Sequence, residues 1–85
     1  MATKPKERPT RQLTAIIERE GKGYVALCPQ LDIASQGSTI EEARHNLAEA
    51  VGLFFETADK SEVKRRWRTE VLITQIEVPI GFQSV

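Results

Sequence analysis

The chain has 85 residues, which is enough for one small domain and too few for two. Its 12 basic and 12 acidic residues balance, so the composition lacks the strong positive charge of a dedicated nucleic-acid binder. A single cysteine excludes an internal disulfide and favours a reducing compartment, and no apolar run approaches the ~18 residues of a membrane span. We therefore expect a cytoplasmic protein without a membrane anchor that gains stability by self-association.

The charges are unevenly distributed along the chain. Residues 1–11 carry four bases against one acid, residues 12–59 carry three bases against eight acids, and residues 60–68 carry five bases against one acid. The first segment contains two prolines and is interpreted as a flexible basic tail. An acidic middle between basic ends fits a protein partner at least as well as a nucleic acid, so both remain open.

Three strands are predicted in the first half of the domain. Residues 12–20 are rich in β-branched side chains, and the glycines of segment 21–23 favour a tight turn into a second strand over 24–28. Pro29 has no N–H to donate and is expected to end that strand. A shorter, half-polar segment at Ile33–Gly37 is predicted to be a third, edge-type strand.

A helix is predicted over residues 40–58. Thr39 and Glu42 have the spacing of a capping box, in which the Thr39 hydroxyl accepts from the Glu42 N–H and the Glu42 carboxylate reaches back to the Thr39 N–H. Gly37 gives the backbone the freedom to turn into this helix. Apolar residues recur at gaps of mostly three and four and form one helical face: Ile40, Ala43, Leu47, Ala50, Val51, Phe54 and Ala58.

The last third of the chain is predicted to contain a short helical turn and a fourth strand. Ser61 is the expected cap of the turn over residues 62–67. Residues 71–78 are predicted to point alternately to the two faces of the sheet. The even-numbered positions are nearly all apolar and are expected to face the helix, whereas the odd-numbered positions are mixed. The fold class is thus α+β in the order β-β-β-α-β, in a single domain over residues 12–80 followed by a C-terminal tail over 81–85. One helix covers only one face of such a sheet, which favours dimerisation through the other face.

Catalytic chemistry is not expected. A Cys28 nucleophile needs a general base, and the sole histidine, His45, is predicted on the helix outside its apolar face. A lone Asp32 cannot build a metal site, so we expect neither metal nor cofactor. Instead, we assign structural roles to six residues as fold-motif positions: Cys28, Pro29, Asp32, Gly37, Thr39 and Glu42.

The basic cluster around Trp67 is the strongest candidate for a partner-binding site. It consists of Lys64, Arg65, Arg66, Trp67 and Arg68. Arginine with an interleaved aromatic suits phosphate contact and base stacking, and it suits docking on an acidic protein surface equally well. The structural alternative is that Trp67 belongs to the core or a dimer interface while the charges are merely solvated.

The segment "GYVALCPQLDIASQGSTIEEARHNLAEAVGLFFE", residues 23–56, resembles the HicB-like antitoxin family in its short single-domain form. The match consists of the strand ending in Cys28-Pro29, then Leu31-Asp32, Ala34 to Gly37, Thr39, Glu41 to Ala43, Asn46-Leu47 and Glu49-Ala50. "ITQIEVPI" resembles the last strand of the family. The resemblance covers roughly half of the chain.

The resemblance implies a partial RNase H-like fold, with an antiparallel meander of three strands, a covering helix and a fourth strand. It also implies a homodimer or tetramer and, as partner, a small RNA-cleaving HicA-like toxin that the domain neutralises without catalysis. Family members often carry a C-terminal DNA-binding module, for which the residues after Ile80 are too few. Two alternatives stay open: a nucleic-acid-binding module that uses residues 60–68 and the tail, and a degenerate RNase H-like hydrolase.

Overall fold

The computed structural model describes residues 10–68 and 70–81. The elements in chain order are β1 (Ile16–Glu20), β2 (Gly23–Cys28), β3 (Ile33–Gly37), α1 (Ile40–Thr57) and α2 (Lys60–Arg66). The protein is therefore α+β, as predicted. The predicted basic tail up to residue 9 and the predicted C-terminal tail from residue 82 lie outside the described residues.

The three strands form one antiparallel sheet in the order β1-β2-β3. Ile17 of β1 lies opposite Ala26 of β2, which lies opposite Ser35 of β3. The strand β1 begins at Ile16 rather than at residue 12. Before Ile16, Thr14 is hydrogen-bonded to the side-chain amide of Gln30 instead of to the backbone of a neighbouring strand. Gln30 Oε1 accepts from the Thr14 N–H at 3.1 Å, and Gln30 Nε2 donates to Thr14 Oγ1 at 2.9 Å.

The hydrophobic core lies between the sheet and α1. Its buried members are Ala26, Cys28, Leu31, Ala43 and Leu47. Because register partners share a face, Ile17 and Ala26 point toward α1, and the neighbouring residues of each strand point the other way. Those neighbours form the open face of the sheet, which carries the partly exposed apolar residues Ile16, Val25 and Leu27.

The predicted start of α1 is confirmed in its main contact. Thr39 is the N-cap, and its hydroxyl accepts from the Glu42 N–H at 3.0 Å. The return contact differs from the expectation, because the Glu42 carboxylate accepts from the Ser38 N–H rather than from that of Thr39. The Ser38 N–H lies one residue outside the cap, where it has no helical carbonyl to bond. The helix ends at Thr57, with Ala58 as the C-cap.

The predicted fourth strand is wrong for the described chain. Residues 70–80 have no regular secondary structure and pair with no strand in the part of the chain that the structure describes. Leu72 and Ile76, expected to face the helix, are each 83% exposed. The element order is therefore β-β-β-α-α. An alternating pattern predicts an extended, half-buried segment, but it does not determine which strand edge will pair with it.

Among the described residues, no helix combines the length and the apolar character required to cross a membrane.

Candidate functional site

The basic cluster predicted from the sequence lies on α2 and at its C-terminal end. Asp59 caps this helix instead of Ser61: its carboxylate accepts from the Glu62 N–H at 2.8 Å and from the Ser61 hydroxyl at 2.8 Å. These hydrogen bonds, the Glu62 contact first, hold the pKa of Asp59 below its ordinary value. Since the folded-state pKa is lowered, the stabilisation from this cap is present at neutral pH and is lost as the pH falls through that pKa.

Trp67 is fixed at the end of α2 by its neighbours on both sides. The backbone N–H of Trp67 donates to the Val63 carbonyl at 2.9 Å, and the backbone N–H of Arg68 donates to the Gln30 carbonyl at 2.8 Å. The indole packs against the core cluster but remains partly exposed. This answers the structural alternative in part, because the side chain belongs to the edge of the core and also reaches the surface.

A basic and aromatic surface surrounds the exposed part of Trp67. The Phe55 ring lies 6.2 Å from the Trp67 ring, and the Arg11 guanidinium lies over the indole at 4.7 Å. Arg11, Phe55, Val63, Lys64 and Trp67 line a shallow groove of about 410 Å³. We call these five residues the Trp67 patch. Cationic groups over and beside aromatic rings favour docking of anionic or aromatic groups.

Three residues of the Trp67 patch were not among the candidate residues: Arg11, Phe55 and Val63, the last of which directly precedes the cluster on α2. Phe55 follows Phe54 on α1 and is 42% exposed, so it falls beside the apolar face of the helix rather than in it. Arg11 belongs to the segment interpreted as the basic tail. Its position over Trp67 is a tertiary contact across more than fifty residues of chain, for which the sequence carries no local signal.

Two curated proteins from bacteria are similar to the chain over most of its length. A UPF0150 protein from Synechocystis is 44% identical over 66 residues, which are 75% of this chain and 89% of the relative. A UPF0150 protein from Helicobacter pylori is 33% identical over 67 residues, which are 78% of this chain and 93% of the relative. The chain belongs to the UPF0150 family. No model of a known protein family matches it, and neither does any solved structure.

In this UPF0150 protein the side chain of Arg66 packs against the body of the protein, unlike the other basic side chains of the cluster. Its guanidinium donates to the Leu31 carbonyl at 2.9 Å and to the Asp32 carbonyl at 3.4 Å, and it lies 5.3 Å from the centre of the Phe54 ring. Lys64, Arg65 and Arg68, by contrast, are exposed. Arg66 thus ties α2 to the β2–β3 turn, and the cations available to a partner are those at the other positions of the cluster.

We expect Arg66→Ala to lower the free energy of unfolding by about 1–2 kcal/mol, because it removes charge-assisted hydrogen bonds to two carbonyls of a packed turn. The matched control is Arg65→Ala, which removes the same side chain from an exposed position one residue earlier and should change stability by less than about 0.5 kcal/mol. Denaturant unfolding of both variants measures the difference. Equal stability of the two variants would show that the Arg66 contacts contribute nothing.

The reactive side chains of the UPF0150 chain are not brought together at the Trp67 patch. Cys28 is 1% exposed, and its thiol donates to Gln30 Oε1 at 3.5 Å inside the core region. Asp32 adopts φ +58° in the β2–β3 turn, and its N–H donates to the Cys28 carbonyl at 2.8 Å. His45 lies on the exposed face of α1, 3.3 Å from the Glu49 carboxylate.

Metal-ligating side chains are scattered in the same way. Within residues 10–68 and 70–81, no three His, Cys, Asp or Glu side chains are grouped so as to hold a metal ion. A second, larger and more polar groove of about 640 Å³ lies between the β1–β2 hairpin and the start of α1. Two of its lining residues have structural contacts: Glu42 accepts from the Ser38 N–H, and Asn46 donates to the Gln36 carbonyl at 2.8 Å.

Proposed function

We propose that this UPF0150 protein is a non-catalytic antitoxin of the HicB type, which neutralises a small RNA-cleaving toxin by binding it. The observation that carries the proposal is the Trp67 patch, where a partly exposed indole lies beside the Phe55 ring and beneath the Arg11 guanidinium. Tryptophan and arginine are the side chains that most often dominate the energy of a protein–protein interface.

The patch is preorganised for binding. The backbone at Trp67 is held by the hydrogen bonds at the end of α2, the indole packs against the core cluster, and Arg66 ties the same helix to the β2–β3 turn. A partner that docks here does not have to order the anchor first, which reduces the entropic cost of association. Rigid presentation of an aromatic anchor supports capping of a partner surface, the mode of action that we infer for this protein.

The charge distribution supports an RNA-cleaving partner. An enzyme that binds RNA presents cationic groups to the phosphate backbone. Residues 12–59 carry three bases against eight acids, a sum of −5, and the exposed carboxylates of α1 include Glu41 and Glu49. Such a surface is complementary to a cationic RNA-binding groove, while the basic rim of the Trp67 patch selects a partner that also offers carboxylates.

The proposal includes the partial RNase H-like assignment and self-association in the cytoplasm as a homodimer or tetramer. Its support is the resemblance of residues 23–56 to HicB-like proteins and the three-stranded meander followed by α1. The open face of the sheet, with Ile16, Val25 and Leu27, provides apolar surface for contact between copies.

A nucleic-acid-binding module is the second candidate. The exposure of Lys64, Arg65 and Arg68 beside a partly exposed Trp67 favours it, because cations that track phosphates and rings that stack on bases suit single-stranded RNA. RNA binding of this kind weakens steeply as salt is added. A fluorescent single-stranded RNA titrated at 50 and 200 mM salt therefore tests it. Undetectable binding at both concentrations eliminates this candidate.

The test of the antitoxin proposal uses the genes that flank the protein's own gene. Each flanking gene for a small basic protein is expressed alone and together with the tagged chain. We expect one of them to arrest growth alone, to cleave RNA, to be tolerated when the chain is present, and to co-purify with it. If no flanking protein is both toxic and rescued, or if rescue occurs without a complex, the proposal is wrong.

A further inference from the structure

Residues 70–81 follow α2 without regular secondary structure, and we call them the C-terminal arm. We propose that the arm of one copy adds as an edge strand to β1 of a second copy, and that the exchange is reciprocal. The inference deepens the self-association included in the proposed function. Its test requires only the chain itself, so it can fail or succeed independently of any toxin.

The arm has the pattern of a strand but no strand partner in the described chain. Its even-numbered positions place Leu72, Ile76, Val78 and Ile80 on one side, and the structure leaves all four side chains exposed. Side chains of this size are seldom clustered in water on a monomer, since contiguous exposed apolar patches mark interaction sites. Pro79 limits the length of ladder that the arm can form at its C-terminal end.

The sheet offers one free edge that matches the arm. The outer edge of β3 is already engaged by α1, because Asn46 Nδ2 donates to the Gln36 carbonyl at 2.8 Å and α1 packs along that strand. At the opposite end of the sheet, β1 pairs only with β2 among the described strands. An edge strand with unpaired N–H and carbonyl groups is a template for one more strand.

The geometry favours an occupant from another copy over the chain's own arm. In the structure the arm pairs with no strand of its own sheet, although β1 of the same molecule has an edge without a strand partner among the described residues. A segment of twelve residues in strand conformation spans ~40 Å at about 3.3 Å per residue, which is long enough to lie along the five residues of β1 in another copy.

A second copy of the chain provides as many arms as there are free β1 edges. Within the described residues each chain has one arm and one free edge at β1, so a twofold exchange satisfies both and closes the assembly at two copies. The same exchange would add a fourth strand to each sheet.

The oligomeric state tests the inference. Light scattering after size-exclusion chromatography is expected to give twice the chain mass of 9.6 kDa for the full chain. Ile76→Glu places a charge on the apolar side of the arm and should raise the dimer dissociation constant at least tenfold. The matched control, Gln75→Glu, adds the same group one position away, on the other side of the arm, and should remain dimeric. A monomeric full chain, or a dimer indifferent to Ile76→Glu, overturns the inference.

Cysteine cross-linking distinguishes exchange between copies from pairing within one chain. A chain with Glu18→Cys on β1 is mixed with chains that carry one cysteine at a position from 72 to 77, and the mixture is oxidised. The native Cys28 is buried and stays out of the reaction. We expect a disulfide-linked heterodimer for at least one arm position. Chains that carry both cysteines and close only internal disulfides would show that the arm pairs with its own sheet, and the inference would be wrong.

Discussion

Replacing Gly37 with alanine is expected to lower the free energy of unfolding by about 3 kcal/mol, at the upper end of the usual cost of overpacking. A Cβ atom at Gly37 would lie 2.5 Å from the Ala43 backbone nitrogen, 2.8 Å from the Glu42 carbonyl carbon and 2.9 Å from Glu42 Cβ. These atoms belong to the first turn of α1, so they cannot move aside without displacing the helix from β3. Thermal or denaturant unfolding measures the loss.

Gly52→Ala is the matched control for Gly37→Ala. Gly52 lies within α1, and a Cβ atom there meets nothing within 4 Å. Because alanine is favoured over glycine inside a helix, this variant should gain about 0.5–1 kcal/mol. The two identical substitutions are therefore expected to change stability in opposite directions. Stability changes of the same sign would mean that the close approach of β3 and α1 is not as described.

Replacing Trp67 with alanine is expected to weaken binding of the toxin by about 30- to 900-fold, which corresponds to the 2–4 kcal/mol of a strong interface anchor. The substitution removes the indole that contacts Phe55 and lies beneath the Arg11 guanidinium, so the Trp67 patch loses its centre. Calorimetric titration of the toxin that the flanking-gene experiment is expected to identify, with each variant, measures the dissociation constant directly.

Trp67 also packs on the core, so the binding experiment needs a control that loses stability elsewhere. Leu47→Ala truncates a buried side chain of α1 that is 4% exposed, and should cost about 2–5 kcal/mol of unfolding free energy. At a temperature where both variants remain folded, Leu47→Ala should bind the toxin like the unmodified chain. If it binds as weakly as Trp67→Ala, the loss reflects general destabilisation and the Trp67 patch is not the contact surface.

Local signals in the sequence were sufficient to place most of the regular structure. The third strand at Ile33–Gly37 and the first residue of α1 are confirmed, since a glycine bend and the Thr39 cap act within a few residues of chain. The first strand was predicted too long because the pairing of Gln30 with Thr14 is a contact between distant residues. The fourth strand was wrong for a similar reason, since alternation in residues 71–78 does not identify a partner strand.

The candidate site was predictable in location but not in detail. The basic cluster from Lys64 to Arg68 was predicted as a binding site. In the structure its side chains have different roles, because they point in different directions. Arg66 turns toward the β2–β3 turn and becomes structural, while Lys64 remains exposed beside Trp67. Phe55 and Arg11 join the patch only through tertiary packing, which neither composition nor spacing could reveal.

Inhibition of RNA cleavage by two charge-reversal variants shows whether neutralisation of the proposed toxin requires the Trp67 patch. Lys64→Glu lies in the patch, and Lys22→Glu makes the same change in the β1–β2 turn outside it. With the toxin expected from the flanking-gene experiment and a labelled RNA, Lys22→Glu should inhibit like the unmodified chain at equimolar amounts. Lys64→Glu should require at least about tenfold more protein, because like charges then face each other at the patch. Equal inhibition by the two variants would show that the Trp67 patch is not the surface that neutralises the toxin.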